Sequence, residues 1–121
     1  MCIRDSLSTV TGTVSGLPYS AFLNTTTGVF QDVNVRKAFF HSLDRVKMTS
    51  DLFFGYAEAA FGPISSSTPS YWSGNEDYYP YNPEGAAALL DEAGWKMGSD
   101  GVREKNGENL TVFFPFSFLS E

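Results

Sequence analysis

Tyr81-Asn82-Pro83-Glu84-Gly85-Ala86-Ala87-Ala88-Leu89-Leu90-Asp91-Glu92-Ala93-Gly94-Trp95 carries the clearest start and stop signals in the chain. Asn82 is an N-cap residue type, able to accept a hydrogen bond from the exposed amides of a first helical turn. Pro83 follows at the first helical position, where its missing N–H costs nothing and its fixed φ fits the helix. Glu84 stands at the positive end of the helix dipole. Ala86, Leu89, Leu90 and Ala93 recur at steps of three and four, forming one apolar face, and Gly94 supplies the stop. The stretch predicts a helix that must bury one face against a partner layer.

Working outward toward the N-terminus, residues 56–80 are irregular. Gly62-Pro63, the run Ser65 to Thr68, Pro69, Gly74 and Pro80 break any helical or strand period. A loop this long in a compact domain covers something or carries function. Before it, Asp32 and Asn34 are N-cap types ahead of Val35, Ala38, Phe39, Leu43 and Val46, with Leu52 to Phe54 further on. That spacing predicts one helix running to about Phe54 and closed by Gly55. Earlier still, Leu17 to Leu23 (LPYSAFL), between Gly16 and the polar run Asn24 to Gly28, reads as a short buried strand.

Toward the C-terminus, Asp100-Gly101 and Asn106-Gly107 bracket Val102 to Lys105, and Asn-Gly between extended runs predicts a tight hairpin. Leu110, Val112, Phe114, Phe116 and Phe118 alternate strictly, which predicts a strand from Leu110 to Phe118, irregular at Pro115. The order strand, helix, long loop, helix, hairpin, strand is an α/β order. Neither outer strand has a parallel neighbour within the sequence, so both are expected to find partners elsewhere in a longer chain.

Composition narrows the functions. The 121 residues carry 8 Lys+Arg against 14 Asp+Glu, a net charge of −6, which leaves no basic footprint for nucleic acid. No apolar run is long enough to span a bilayer. Cys2 and His41 are the single cysteine and histidine, so an intrachain disulfide is excluded and zinc or Cys/His nucleophile chemistry nearly so. No cofactor is expected. Cys2 does not qualify for lipid attachment, since no apolar signal region precedes it. Residues 1–6 (MCIRDS) resemble translated adapter sequence more than an ordinary N-terminal tail. The expected organisation is a non-native tail at 1–6 and a partial domain at 7–121, truncated at both ends.

Three of these motifs together carry a resemblance. Asn24, Gln31-Asp32-Val33-Asn34-Val35-Arg36-Lys37-Ala38 and Leu43-Asp44-Arg45 resemble a stretch of the family 5 extracellular solute-binding proteins. The Tyr81-Asn82-Pro83-Glu84 helix with Leu89-Leu90-Asp91-Glu92-Ala93-Gly94-Trp95 is similar to that family's helix. Asp100-Gly101-Val102-Arg103-Glu104-Lys105-Asn106-Gly107 with Leu110-Thr111-Val112 is similar to its hairpin. The order and spacing hold over roughly residues 19–118. Gly85 departs from the family's usual lysine, at a cost of about 1 kcal/mol of helix propensity, and His41-Ser42 stands where the family tends to have small or aromatic residues.

The resemblance implies a fragment of a two-lobed periplasmic-binding-protein (type 2) fold, mostly of one lobe. It implies the substrate-binding component of a bacterial ABC importer, catching peptides or a similar small solute outside the cytoplasmic membrane for a membrane permease. The parent is expected to be a monomer, periplasmic or a cell-surface lipoprotein, and not an enzyme. An extracellular carbohydrate-active or carbohydrate-binding module is the alternative, motivated by the loop aromatics and the carboxylates Glu76, Asp77, Asp91 and Glu92. A structural or interaction fragment without a ligand is the third reading.

Two residues are ligand candidates. Tyr19 aligns with a cleft tyrosine of oligopeptide-type relatives and either meets a ligand or is buried and satisfied by neighbouring backbone. Asn24 either faces the cleft or caps the following turn, the latter being asparagine's commoner use. His41 reads as a helix-surface residue, and Asp91 and Glu92 as a solvated face. Tyr71, Trp72, Tyr78, Tyr79 and Tyr81 either form a stacking platform or fasten the loop, with packing the larger share. The sequons at Asn24 and Asn109 are read as chance.

Overall fold

A computed structural model describes residues 18–115. The described chain divides into two compact units, one of residues 21–43 with 79–115, the other of residues 18–20 with 44–78.

The first unit is built on helix α1 (Val33–His41) packed against helix α3 (Pro83–Glu92), followed by a three-stranded antiparallel sheet. Its strands are β1 (Lys96–Met97), β2 (Arg103–Lys105) and β3 (Glu108–Asn109), in that order. Lys96 faces Glu104, Met97 faces Arg103, Glu104 faces Asn109 and Lys105 faces Glu108. The capping signals act as read. The Asp32 carboxylate accepts from the Asn34 amide at the start of α1, and the Asn82 side chain accepts from Gly85 N at the start of α3. Gly94, at φ 86°, turns the chain out of α3. Asn106 and Gly107 both have positive φ, 54° and 82°, as a tight hairpin turn between β2 and β3 requires.

The core is small. Val35, Ala93 and Trp95 are buried together, with Val29, Phe30, Leu90 and Leu110 packed around them. Ala38 and Ala86 add a buried small side chain from each helix, which allows a close approach of α1 and α3. The apolar face read from Ala86, Leu90 and Ala93 is therefore the face that α3 turns inward.

The second unit holds helix α2 (Arg45–Phe53) and the loop that follows it. Here the expected single helix is corrected: α1 stops at His41 and a new helix begins at Arg45. Asp44 leaves helical geometry (ψ 83°) and its carboxylate accepts from Lys47 N, 2.9 Å, capping the new helix. Ser42 hydroxyl donates to Phe39 O, 2.8 Å, a bond that belongs to an ending helix. Apolar spacing continues in phase across the break, but a capping aspartate offers the backbone a better partner than the next helical turn. α2 closes as expected at its far end, with Phe54 in left-handed conformation ahead of Gly55.

Two expected strands are also corrected. Residues 18–23 form no strand, and Leu17 lies outside the described residues. Leu110 N still donates to Arg103 O of β2 at 2.6 Å, but residues 111–115 run on without strand structure, and 116–118 lie outside the described residues. Both segments have strand-like sequences, but residues 18–23 and 111–115 form no ladder, and an extended chain without a ladder leaves its amides to water. β1, conversely, comes from two residues without any alternating pattern; its pairing with β2 creates it.

The loop of residues 56–80 is irregular as expected, apart from a 3-10 turn at Ser73–Asn75. Tyr71 hydroxyl donates to Glu76 Oε1 at 2.7 Å, and Ser66 hydroxyl donates to Glu58 Oε2 at 2.8 Å. The Trp72 ring lies so close over Gly74 that a Cβ there would fall 2.2 Å from a ring carbon. The loop thus fastens itself through its own aromatics.

Candidate functional site

The segment ahead of α1 carries both ligand candidates, one in each unit. Tyr19 is fully exposed, which removes its reading as a buried tyrosine. Its ring is open to solvent and to anything that stacks on it. Asn24 organises a turn. Its Oδ1 accepts from Thr26 N at 2.9 Å and from the Thr26 hydroxyl at 2.8 Å, while Nδ2 donates to Thr27 Oγ1 at 3.0 Å. An amide side chain has two N–H groups, so one donor stays available beyond the turn. The turn is extended by Gln31, whose Nε2 donates to Thr26 O at 2.8 Å, and by Gly28 at φ 74°.

The motif that follows turns out to be scaffold. Asp32 caps α1, Val35 and Ala38 are buried, and Arg36 reaches back across the helix start. Its Nη1 donates to Phe30 O at 2.7 Å and to Gln31 O at 3.0 Å, holding the turn that leads out of the Asn24 loop. Sequence reading did not find this role of Arg36. The missed signal is a cation in the first turn of a helix directly behind a turn rich in free carbonyls.

At the other end of α1 a run of half-buried rings crosses to the chain leading into α3. Phe30 meets Phe39 edge-on at 5.4 Å, Phe39 meets Phe40 at 6.0 Å, and Phe40 stacks on Tyr79 at 5.3 Å with 26° between planes. His41 packs edge-on against Tyr79, and its Nδ1 lies 2.8 Å from Pro80 O. A carbonyl oxygen only accepts, so Nδ1 carries the hydrogen. His41 O in turn accepts from Asn82 N at 2.8 Å. His41 is therefore more than a helix-surface residue: it joins the end of α1 to the start of α3. Tyr79 has the packing role expected of the loop aromatics, whereas Trp72, Tyr78 and Tyr81 stay exposed.

The hairpin supplies the other clamp. Arg103 Nη1 donates to Trp95 O and to Asp91 Oδ1, with the arginine nearly covered and the aspartate open. Lys105 Nζ donates to Ala93 O at 2.6 Å and lies 5.9 Å from the Trp95 ring centroid. Two cations of β2 thus occupy the negative end of the α3 dipole, where unsatisfied carbonyls collect. Asp91, read as a solvated surface residue, is exposed but paired. Glu76, Asp77 and Glu92 are exposed as well. Glu76 is engaged by Tyr71, which holds the Tyr71 phenol above its ordinary pKa, chiefly through that hydrogen bond. In α2, burial lowers Arg45, whose guanidinium lies 5.2 Å from the centre of the Phe61 ring.

Among the described residues no group of three His, Cys, Asp or Glu side chains could hold a metal ion, and no helix is long and apolar enough to cross a membrane. What the geometry offers is an exposed, hydrogen-bonded turn at residues 24–28 that leads into α1.

The chain matches the family described as bacterial extracellular solute-binding proteins, family 5 (Middle), over residues 4–118. It is 35% identical over 86 residues to Protein XP55 of Streptomyces lividans, covering 69% of this chain and 16% of that protein. Identity to the oligopeptide-binding protein AppA of Bacillus subtilis is 34% over 88 residues, again 69% of this chain and 16% of the relative. Among solved structures, NikA from Brucella suis in complex with Fe(III)-EDTA superposes with a TM-score of 0.63 at 37% identity, covering 73% of this chain and 18% of NikA. The chain thus spans about a sixth of the length of the curated relatives it matches. The α/β fold class expected from the sequence is the one it shares with these structures, whereas nothing among its relatives favours the carbohydrate-active alternative. With motif order and shared fold in agreement with a family match over residues 4–118, the chain belongs to the family 5 bacterial extracellular solute-binding proteins.

Proposed function

We propose that the protein is the substrate-binding component of an ABC importer, capturing peptides or a similar small solute outside the cytoplasmic membrane and delivering it to a membrane permease. The observation that carries this reading is the family match over residues 4–118. The 34% identity to an oligopeptide-binding protein favours peptides as the solute class, and the Fe(III)-EDTA complex of NikA makes metal chelates the class to test beside them. The protein binds its solute without chemically changing it, acts as a monomer, and resides in the periplasm or on the cell surface as a lipoprotein.

Tyr19 and Asn24 are the ligand-facing residues of this proposal. The exposed ring of Tyr19 suits stacking on a peptide side chain or hydrogen bonding to backbone, worth about 0.5–1.5 kcal/mol for a stacked pair. Asn24 contributes through the amide hydrogen its turn leaves unused.

Isothermal titration and thermal-shift measurements on the full-length protein carrying this sequence, against defined peptide pools and against Fe(III)-EDTA, test the reading. Saturable binding of a peptide pool, with the peptides recovered unchanged, supports it. Absence of stabilisation by every peptide and chelate offered, or cleavage of the bound peptide, overturns it.

A further inference from the structure

We draw no further inference here: the strongest candidate, the exposed apolar side chains Val46 and Leu52 of α2 with Phe54 at its C-terminal cap, carries nothing because nothing in the structure shows what covers them.

Discussion

Lys105 Nζ donates to the carbonyl oxygen of Ala93 at 2.6 Å, placing a hairpin cation on the last turn of α3. The two residues lie on different elements, and their contact ties the sheet to the helix. The ammonium also faces the buried Trp95 ring, so hydrogen bond, helix dipole and ring attract the same charge.

Replacing that charge while keeping the side-chain stem isolates these terms. Lys105→Met should destabilise the protein by about 1–2 kcal/mol, combining a charge-assisted hydrogen bond, a helix-end charge and a cation–π contact. Urea unfolding checks this. A midpoint unchanged from that of the wild type would mean that water replaces the ammonium without loss.

The helix start gives a coupled pair. A Cβ at Gly85 would lie 2.5 Å from Asn82 Nδ2, the side chain that caps α3. Glycine here costs about 1 kcal/mol of helix propensity relative to alanine, yet it leaves room for the cap. Gly85→Ala should therefore gain well under 1 kcal/mol in the wild type and close to that full amount in an Asn82→Ala background. Asn82→Ala alone should cost about 1 kcal/mol. Equal gains from Gly85→Ala in both backgrounds would show that the two side chains do not compete.

The pH dependence centres on Tyr71. Its hydrogen bond to Glu76 raises the folded-state pKa above the ordinary value near 10. The sign follows from linkage: the contact contributes fully below about pH 10, where the phenol is protonated in both folded and unfolded chains, and is lost as pH rises through the raised value. Phenolate absorbance of the wild type minus that of Tyr71→Phe should show one tyrosine ionising later than ordinary. Ionisation at or below the usual value would contradict the bond in solution.

The two ligand candidates separate by their surroundings. Tyr19→Ala should leave the unfolding midpoint in place, because the ring is fully exposed, while weakening peptide affinity by roughly tenfold, about 1.4 kcal/mol. Asn24→Asp keeps an oxygen for Thr26 but removes the amide donor, so most of the turn's stability should persist while affinity falls. Asn24→Ala should lose both. Titration calorimetry paired with thermal unfolding reads the two effects apart, and unchanged affinity in Tyr19→Ala and Asn24→Asp alike would remove both residues from the binding surface.

The parts legible in the sequence are those written locally. Asn82, Pro83 and Gly94 delimit α3 because caps and stops act over one turn, and Asn106-Gly107 forces its turn by backbone preference alone. The break between α1 and α2 was harder, since Leu43 and Val46 continue the helical phase and only Asp44, an N-cap residue type, marks the restart. The strands expected at 17–23 and 110–118 show the opposite error: alternation describes a surface ready to pair, and pairing is decided by chain elsewhere. Of the candidate site, Asn24's turn was open to reading from its neighbours. The reach of Arg36, Arg103 and Lys105 to distant carbonyls was not, because it depends on where folding brings the backbone.

α3 is held at both ends by groups that are not its own: His41 O takes the Asn82 amide ahead of it, and Lys105 and Arg103 take the carbonyls behind it. Short helices ordinarily fray from their termini, and their end amides exchange with solvent long before the middle ones. Tied in this way, the ten residues of α3 should not follow that graded route. Its hydrogen-bonded amides are expected to exchange together, when the helix lets go of α1 and the hairpin, as one cooperative block.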